Sequence, residues 1–219
     1  MPRIKVCCIS SILEARLAIE AGASLIGLVS EMPSGPGVIS DERVAEIADA
    51  VPPGVTSVLL TARTRADAII EQHRRCRTNA LQLVDALPAG EHRRLRDALP
   101  GIGIIQVLHV RGEEALREAE ALASEGAVDA LLLDSGNPGA AVKELGGTGR
   151  VHDWSISERL CRAVDLPVFL AGGLHSGNVA EAVRQVRPFG LDLCSGVRTE
   201  CRLDAAKLGA FMQAVRSAG

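Results

Sequence analysis

One pattern recurs eight times along the chain: a short, unbroken apolar run followed by a helix-forming stretch. The runs fall at 3–7, 24–29, 54–60, 79–84, 102–108, 128–134, 167–171 and 189–194. Segments such as SLIGLV and VDALLLD lack apolar–polar alternation, so both faces of these strands must be buried. Parallel strands covered by helices have that property. Between them, ILEARLAIEA carries a helical stripe through Ile12, Ala15, Ala18 and Ile19 and stops at Gly22, a residue suited to a left-handed helix end. Asp41, just before the second apolar helix, is the expected N-cap there.

Right-handed crossovers leave two architectures for such units, an open doubly wound sheet or a closed barrel. The open sheet usually carries Gly-x-Gly-x-x-Gly after its first strand. Here that strand runs into Cys7-Cys8-Ile9-Ser10, with no glycine. The expected fold is therefore α/β, a (β/α)8 TIM barrel occupying 1–219 as one domain, leaner than the ~250 residues typical of the class.

Composition narrows the partners. A net charge of −3 gives no concentrated basic surface for nucleic acid. Three Phe, one Trp and no Tyr leave few rings for base stacking. No stretch approaches the roughly 18 apolar residues of a membrane span, and the N-terminal apolar run is too short for a signal peptide. A cytoplasmic protein with no nucleic-acid or membrane partner is expected. The six cysteines show neither Cys-x-x-Cys nor zinc-ligand spacing, so free thiols and no metal are expected. Cys194, in an apolar run, reads as a small buried hydrophobe.

In a barrel, chemistry sits at the C-terminal ends of the strands. Those ends offer Lys5 and Cys7, Gln82 and Asp85, Gln106 and His109, Asp134, and Asp192. Strand seven leads into Gly172-Gly173-Leu174 and strand eight into Ser195-Gly196-Val197. Glycine turns in these two loops suit a phosphate, because bare N–H groups can approach it closely. Two ordinary tight turns are the plainer alternative. Cys7 as a thiolate base and Asp134 as a proton donor form a candidate acid–base pair, with Lys5 on the same face of its strand as Cys7. A small buried residue and a turn residue are the alternatives for these two. The long loop at 135–153, rich in glycine, reads as a lid or binding loop.

Lys5-Val6-Cys7-Cys8-Ile9-Ser10 resembles the opening K-[IV]-C-G-[IL]-[TS] of the phosphoribosylanthranilate isomerase family. The resemblance continues through Leu131 to Asp134, Gly146-Gly147-Thr148-Gly149, His152-Asp153-Trp154, Leu170 to Leu174, Asn178-Val179, Val186-Arg187-Pro188 and Asp192 to Val197. It implies a barrel of the ribulose-phosphate-binding type and an Amadori rearrangement in tryptophan synthesis, without metal or organic cofactor. Cys7 matches the family's general base and Asp134 its general acid. Lys5, Gln82, His109, Arg150 and Asp192 are expected around a small phosphorylated sugar substrate, and the two glycine loops at its phosphate. The loops after strands two and four depart from the family, and so does one residue after strand one. Cys8 stands where glycine is usual, and Gly37 falls near the arginine that holds the anthranilate carboxylate. Arg150, His109 and Arg198 are candidate substitutes. Gln82-Leu83-Val84-Asp85 replaces Q-L-H-G. Two alternatives follow, an isomerase of another phosphoribosyl amine and a phosphosugar-binding barrel without catalysis. Trp154 is the one large ring expected near the site.

Overall fold

The computed structural model describes residues 1–136 and 152–218. Eight parallel strands close into a barrel in chain order. They are β1 (Arg3–Val6), β2 (Leu25–Val29), β3 (Thr56–Thr61), β4 (Ala80–Leu83), β5 (Gly103–His109), β6 (Ala130–Asp134), β7 (Val168–Leu170) and β8 (Gly190–Leu193). Each is followed by a helix: α1 (Ile12–Ala21), α2 (Asp41–Asp49), α3 (Ala66–Cys76), α4 (Glu91–Ala98), α5 (Glu114–Glu125), α6 (Trp154–Ala163), α7 (Val179–Val186) and α8 (Ala205–Arg216). A 3₁₀ turn at Ser195–Val197 and a two-residue hairpin, β9 (Arg198–Thr199) with β10 (Arg202–Leu203), lie between β8 and α8. All eight expected strands are present, with ends shifted by no more than two residues.

Gly22 ends α1 at φ 108°, as its sequence position suggested. The cap of α2 differs from expectation. Ser40, extended at ψ 157°, accepts from the Arg43 N–H, while Asp41 is the first helical residue. Its carboxylate instead accepts from Gln72 and Arg75 of α3.

Strand alternation sorts the apolar residues into two layers. Val58, Leu60, Ile105, Val107, Leu132 and Phe169 fill the barrel interior, while their neighbours pack under the helices. Phe169 lies against Gly190, where a Cβ would run into its ring. Gln106 falls on the outer parity of β5. Its amide donates to the Leu83, Asp85 and Val107 carbonyls, and His92 of α4 lies 2.8 Å from its Oε1. Gln106 is therefore a brace between β4 and α4 rather than part of the mouth. Trp154 also packs in the outer layer, away from the mouth.

The barrel closes where β1 meets β8, with Lys5 and Asp192 as direct register partners. The Lys5 ammonium is fully buried and lies 2.9 Å from Asp192 Oδ1. Removing one partner of such a pair strands an uncompensated charge, at a cost of about 3–5 kcal/mol, whereas apolar replacement of both is often neutral. Asp192→Ala should therefore lower the unfolding free energy by about that amount, and Lys5→Met/Asp192→Leu should recover most of it in urea titrations. A double variant as unstable as the single one would contradict this account.

Candidate active site

A cavity opens at the C-terminal end of the barrel. Cys7, Gln82, Asp134 and Asp192 reach it from β1, β4, β6 and β8. Gly172, Gly173, Leu174 and Ser195 line one side, and Met32, Ser34, Gly35 and Pro36 of the loop after β2 line another.

Cys7 and Lys5 share a face because residues two apart on a strand point the same way. Both approach Gly27 of β2, where a Cβ would stand 3.0 Å from the Cys7 Sγ and from the Lys5 Nζ. The missing side chain at Gly27 thus makes room for both. The Cys7 thiol is held below its ordinary pKa, chiefly by its hydrogen bond with the Cys8 thiol and, against burial, by the Lys5 ammonium. Burial opposes the charge on Lys5, but Asp192 and Cys7 outweigh it and raise the lysine above its usual value. Asp134 moves the other way. Burial first, and the Asp192 carboxylate second, raise it, against the Ser135 N–H that donates to its Oδ1 at 2.7 Å. One cavity therefore holds a thiol biased toward ionisation and a carboxyl biased toward keeping its proton, the arrangement acid–base catalysis requires.

The two glycine turns meet. Gly172 and Gly173 sit at φ 87° and 62°, where a side chain is strained. Their N–H groups and that of Leu174 donate to no described residue. Asn178 holds the turn from behind, donating to the Gly173 carbonyl at 3.0 Å and accepting from the His175 N–H at 2.9 Å. A Cβ on Gly196 would run into the Leu174 carbonyl, so this glycine lets the two loops touch. Gly196 and Val197 themselves do not line the cavity; Val197 is buried in the outer core.

Several expected site residues lie elsewhere. Lys5 sits beneath the cavity wall with Asp192. His109 is turned to the Val84 carbonyl, 3.1 Å from its Nε2, and does not line the cavity. Arg198 is occupied. It pairs with Glu14 at 3.0 Å and donates to the Cys7 and Cys8 carbonyls at 3.2 and 2.6 Å, so it clamps the end of β1 instead of facing substrate. Arg150 lies outside the described residues, as does most of the 135–153 loop.

Cys8 and Cys194 were the residues missed. Both line the cavity, Cys194 half-buried rather than enclosed. Its signal was available: Cys194 stands two residues beyond Asp192 and shares its inward parity. Cys8 occupies the left-handed region at φ 62°, which explains why glycine is usual there. It also touches the other departure. A Cβ on Gly37 would stand 2.5 Å from the Cys8 Cβ, and Gly37 itself is at φ 79°. The two substitutions are thus coupled: a side chain at 8 takes the space that a side chain at 37 would need.

A closed parallel barrel whose mouth gathers Cys7, Asp134 and two touching glycine loops defines a (β/α)8 barrel with a polar cavity at the C-terminal ends of its strands. Residues 4–214 match the family model of N-(5′-phosphoribosyl)anthranilate isomerase. A relative of that name from Methanosarcina acetivorans is 34% identical, covering 98% of this chain and 93% of its own. Among solved structures, the phosphoribosylanthranilate isomerase of Thermotoga maritima aligns over 99% of this chain and 100% of its own, with a TM-score of 0.83 and 27% identity. Another, solved in complex with reduced 1-(o-carboxyphenylamino)-1-deoxyribulose 5-phosphate, covers 99% of this chain and 100% of its own, with a TM-score of 0.80 and 25% identity. The chain belongs to the phosphoribosylanthranilate isomerase family.

Two outcomes test this geometry. Gly37→Ala should destabilise the protein, by about 1 kcal/mol from the left-handed backbone alone and more from the clash. Cys8→Gly in the same chain should relieve the clash but not the backbone cost, and thermal melts of both variants distinguish the two contributions. Asp134 follows a different sign. Its folded pKa is raised, so its stabilising contribution is complete below the unfolded aspartate value and is lost as pH rises through the folded one. Asp134→Asn should therefore melt at or above the wild-type temperature at neutral pH, with the gap closing in acid. A lower melting temperature at neutral pH would sink this reading of the burial.

Proposed function

We propose that the protein isomerises N-(5-phosphoribosyl)anthranilate to 1-(o-carboxyphenylamino)-1-deoxyribulose 5-phosphate, a step of tryptophan synthesis. The observation that carries this is the opposed bias of Cys7 and Asp134 on one cavity with the glycine loops. The substrate phosphate sits against Gly172, Gly173, Leu174 and Ser195, leaving the ribose between the two reactive groups. Asp134 protonates the ring oxygen, the C1–O bond opens, and the glycosylamine becomes an iminium. The Cys7 thiolate removes the C2 proton, and the resulting enolamine tautomerises to the ketone. Lys5 supports the thiolate electrostatically from beneath, and Gln82, whose Oε1 is buried without a partner among the described residues, offers the sugar a hydrogen-bond acceptor. We place this chemistry in the cytoplasm. Among the described residues no helix is long and apolar enough to cross a membrane.

A second reading keeps the reaction and changes the amine. It is favoured by the cavity wall, which has no arginine among the described residues to meet an anthranilate carboxylate. Losing such a charge-assisted contact costs about 1.5–3 kcal/mol. Cys7→Ala and Asp134→Asn should each abolish turnover of the anthranilate compound while a phosphorylated product analogue still binds, measured by calorimetry. Full activity in either variant would overturn the roles. Failure to complement a tryptophan auxotroph, with turnover of another phosphoribosyl amine, would shift the assignment to the second reading.

A further inference from the structure

Two cavity thiols have no part in the proton transfers. Cys8 Sγ lies 2.6 Å from Cys194 Sγ, within about an ångström of the ~2.05 Å bond of a disulfide. The residues are 186 apart in sequence and meet only because the barrel closes. The segments that carry them are already fastened together. The Cys7 N–H donates to the Leu193 carbonyl at 2.8 Å, and Arg198 holds the Cys8 carbonyl at 2.6 Å. Cys8 follows the proposed base directly, and Cys194 directly precedes the phosphate loop at Ser195.

We propose that Cys8 and Cys194 form a peroxide-sensitive pair that closes reversibly into a disulfide across the β1–β8 seam and turns the site off. Cys194, the more exposed of the two, meets the oxidant from the cavity. Its thiolate attacks one peroxide oxygen. An S–O bond forms, the O–O bond breaks, and the departing hydroxide takes up a proton to leave as water. Cys8 loses its proton and attacks the sulfenic sulfur. The S–S bond forms, the S–O bond breaks, and a second water leaves. Two thiols are oxidised and one peroxide is reduced to two waters. Cys8 suits the second role by position, because its Sγ lies 2.6 Å from the Cys194 Sγ and so stands within reach of the sulfenic sulfur. Closing the disulfide removes the thiol hydrogen that Cys8 shares with Cys7 and fixes the wall beside the phosphate turn.

The test treats the full chain with hydrogen peroxide, alkylates the remaining thiols and maps the peptides by tandem mass spectrometry. The expected product joins Cys8 to Cys194 and is lighter by two hydrogens. It should also form in Cys7→Ser, where the proposed base is absent, and not in Cys194→Ser. Treatment with a dithiol should restore free thiols and at least tenfold of lost turnover in the wild type, with no such reversible component in Cys194→Ser. The peptide map decides the bond whatever the substrate proves to be. Free Cys8 and Cys194 beside an oxidised Cys7, a bond between Cys7 and Cys8, or a Cys8–Cys194 bond that leaves turnover unchanged would each overturn the proposal.

Discussion

The Lys5 ammonium has no exposed surface, and a charge in that position persists only because Asp192 faces it across the seam that closes the barrel. Closure and electrostatics are therefore one arrangement. The register that pairs β1 with β8 sets the ion pair, and the pair sets the charges felt by the groups above it. Lys5 favours the ionised Cys7, while Asp192 discourages ionisation of Asp134. The Cys8 thiol does most to lower Cys7 and burial does most to raise Asp134, and the buried pair adds to each in the same sense.

Around that pair, the mouth is assembled by close approach rather than by bulk. Gly27 admits Lys5 and Cys7, Gly196 admits the neighbouring loop, and Gly37 admits Cys8. At each, a Cβ would press on an atom the site uses. Arg198 and Glu14 complete the frame from outside. Glu14 accepts from the Ser10 and Leu203 N–H groups as well as from Arg198, which ties the end of β1 to the segment after β8. The scarcity of aromatic residues takes on a position here. Phe169 fills the barrel interior and Trp154 and Phe211 the outer layer, so no aromatic ring lines the described cavity, whose apolar wall is aliphatic and thiol.

Much of this was legible beforehand, for a physical reason in each case. Parallel strands buried on both faces leave continuous apolar runs, and those runs located every strand of the barrel. That Cys7, Asp134, Gly172, Gly173, Leu174 and Ser195 face one cavity followed from strand-end position. Gln106 did not, because a strand end alone does not give parity: it stands one residue off the inward-facing Ile105 and Val107 and turns to His92. His109 and Arg198 had the right charge or donor but were already engaged by the Val84 carbonyl and by Glu14. Side-chain competition of that kind involves partners distant in sequence.

The amino-acid order by itself determined the strand–helix repeat, the closed parallel architecture and the family, because these follow from local burial periodicity and contiguous motifs. The tertiary structure alone decided which polar groups reach the cavity, that Cys8 and Gly37 compete for one space, and that Cys8 and Cys194 touch. Those outcomes depend on distances across the β1–β8 seam and between loops, and such distances exist only once the barrel has closed.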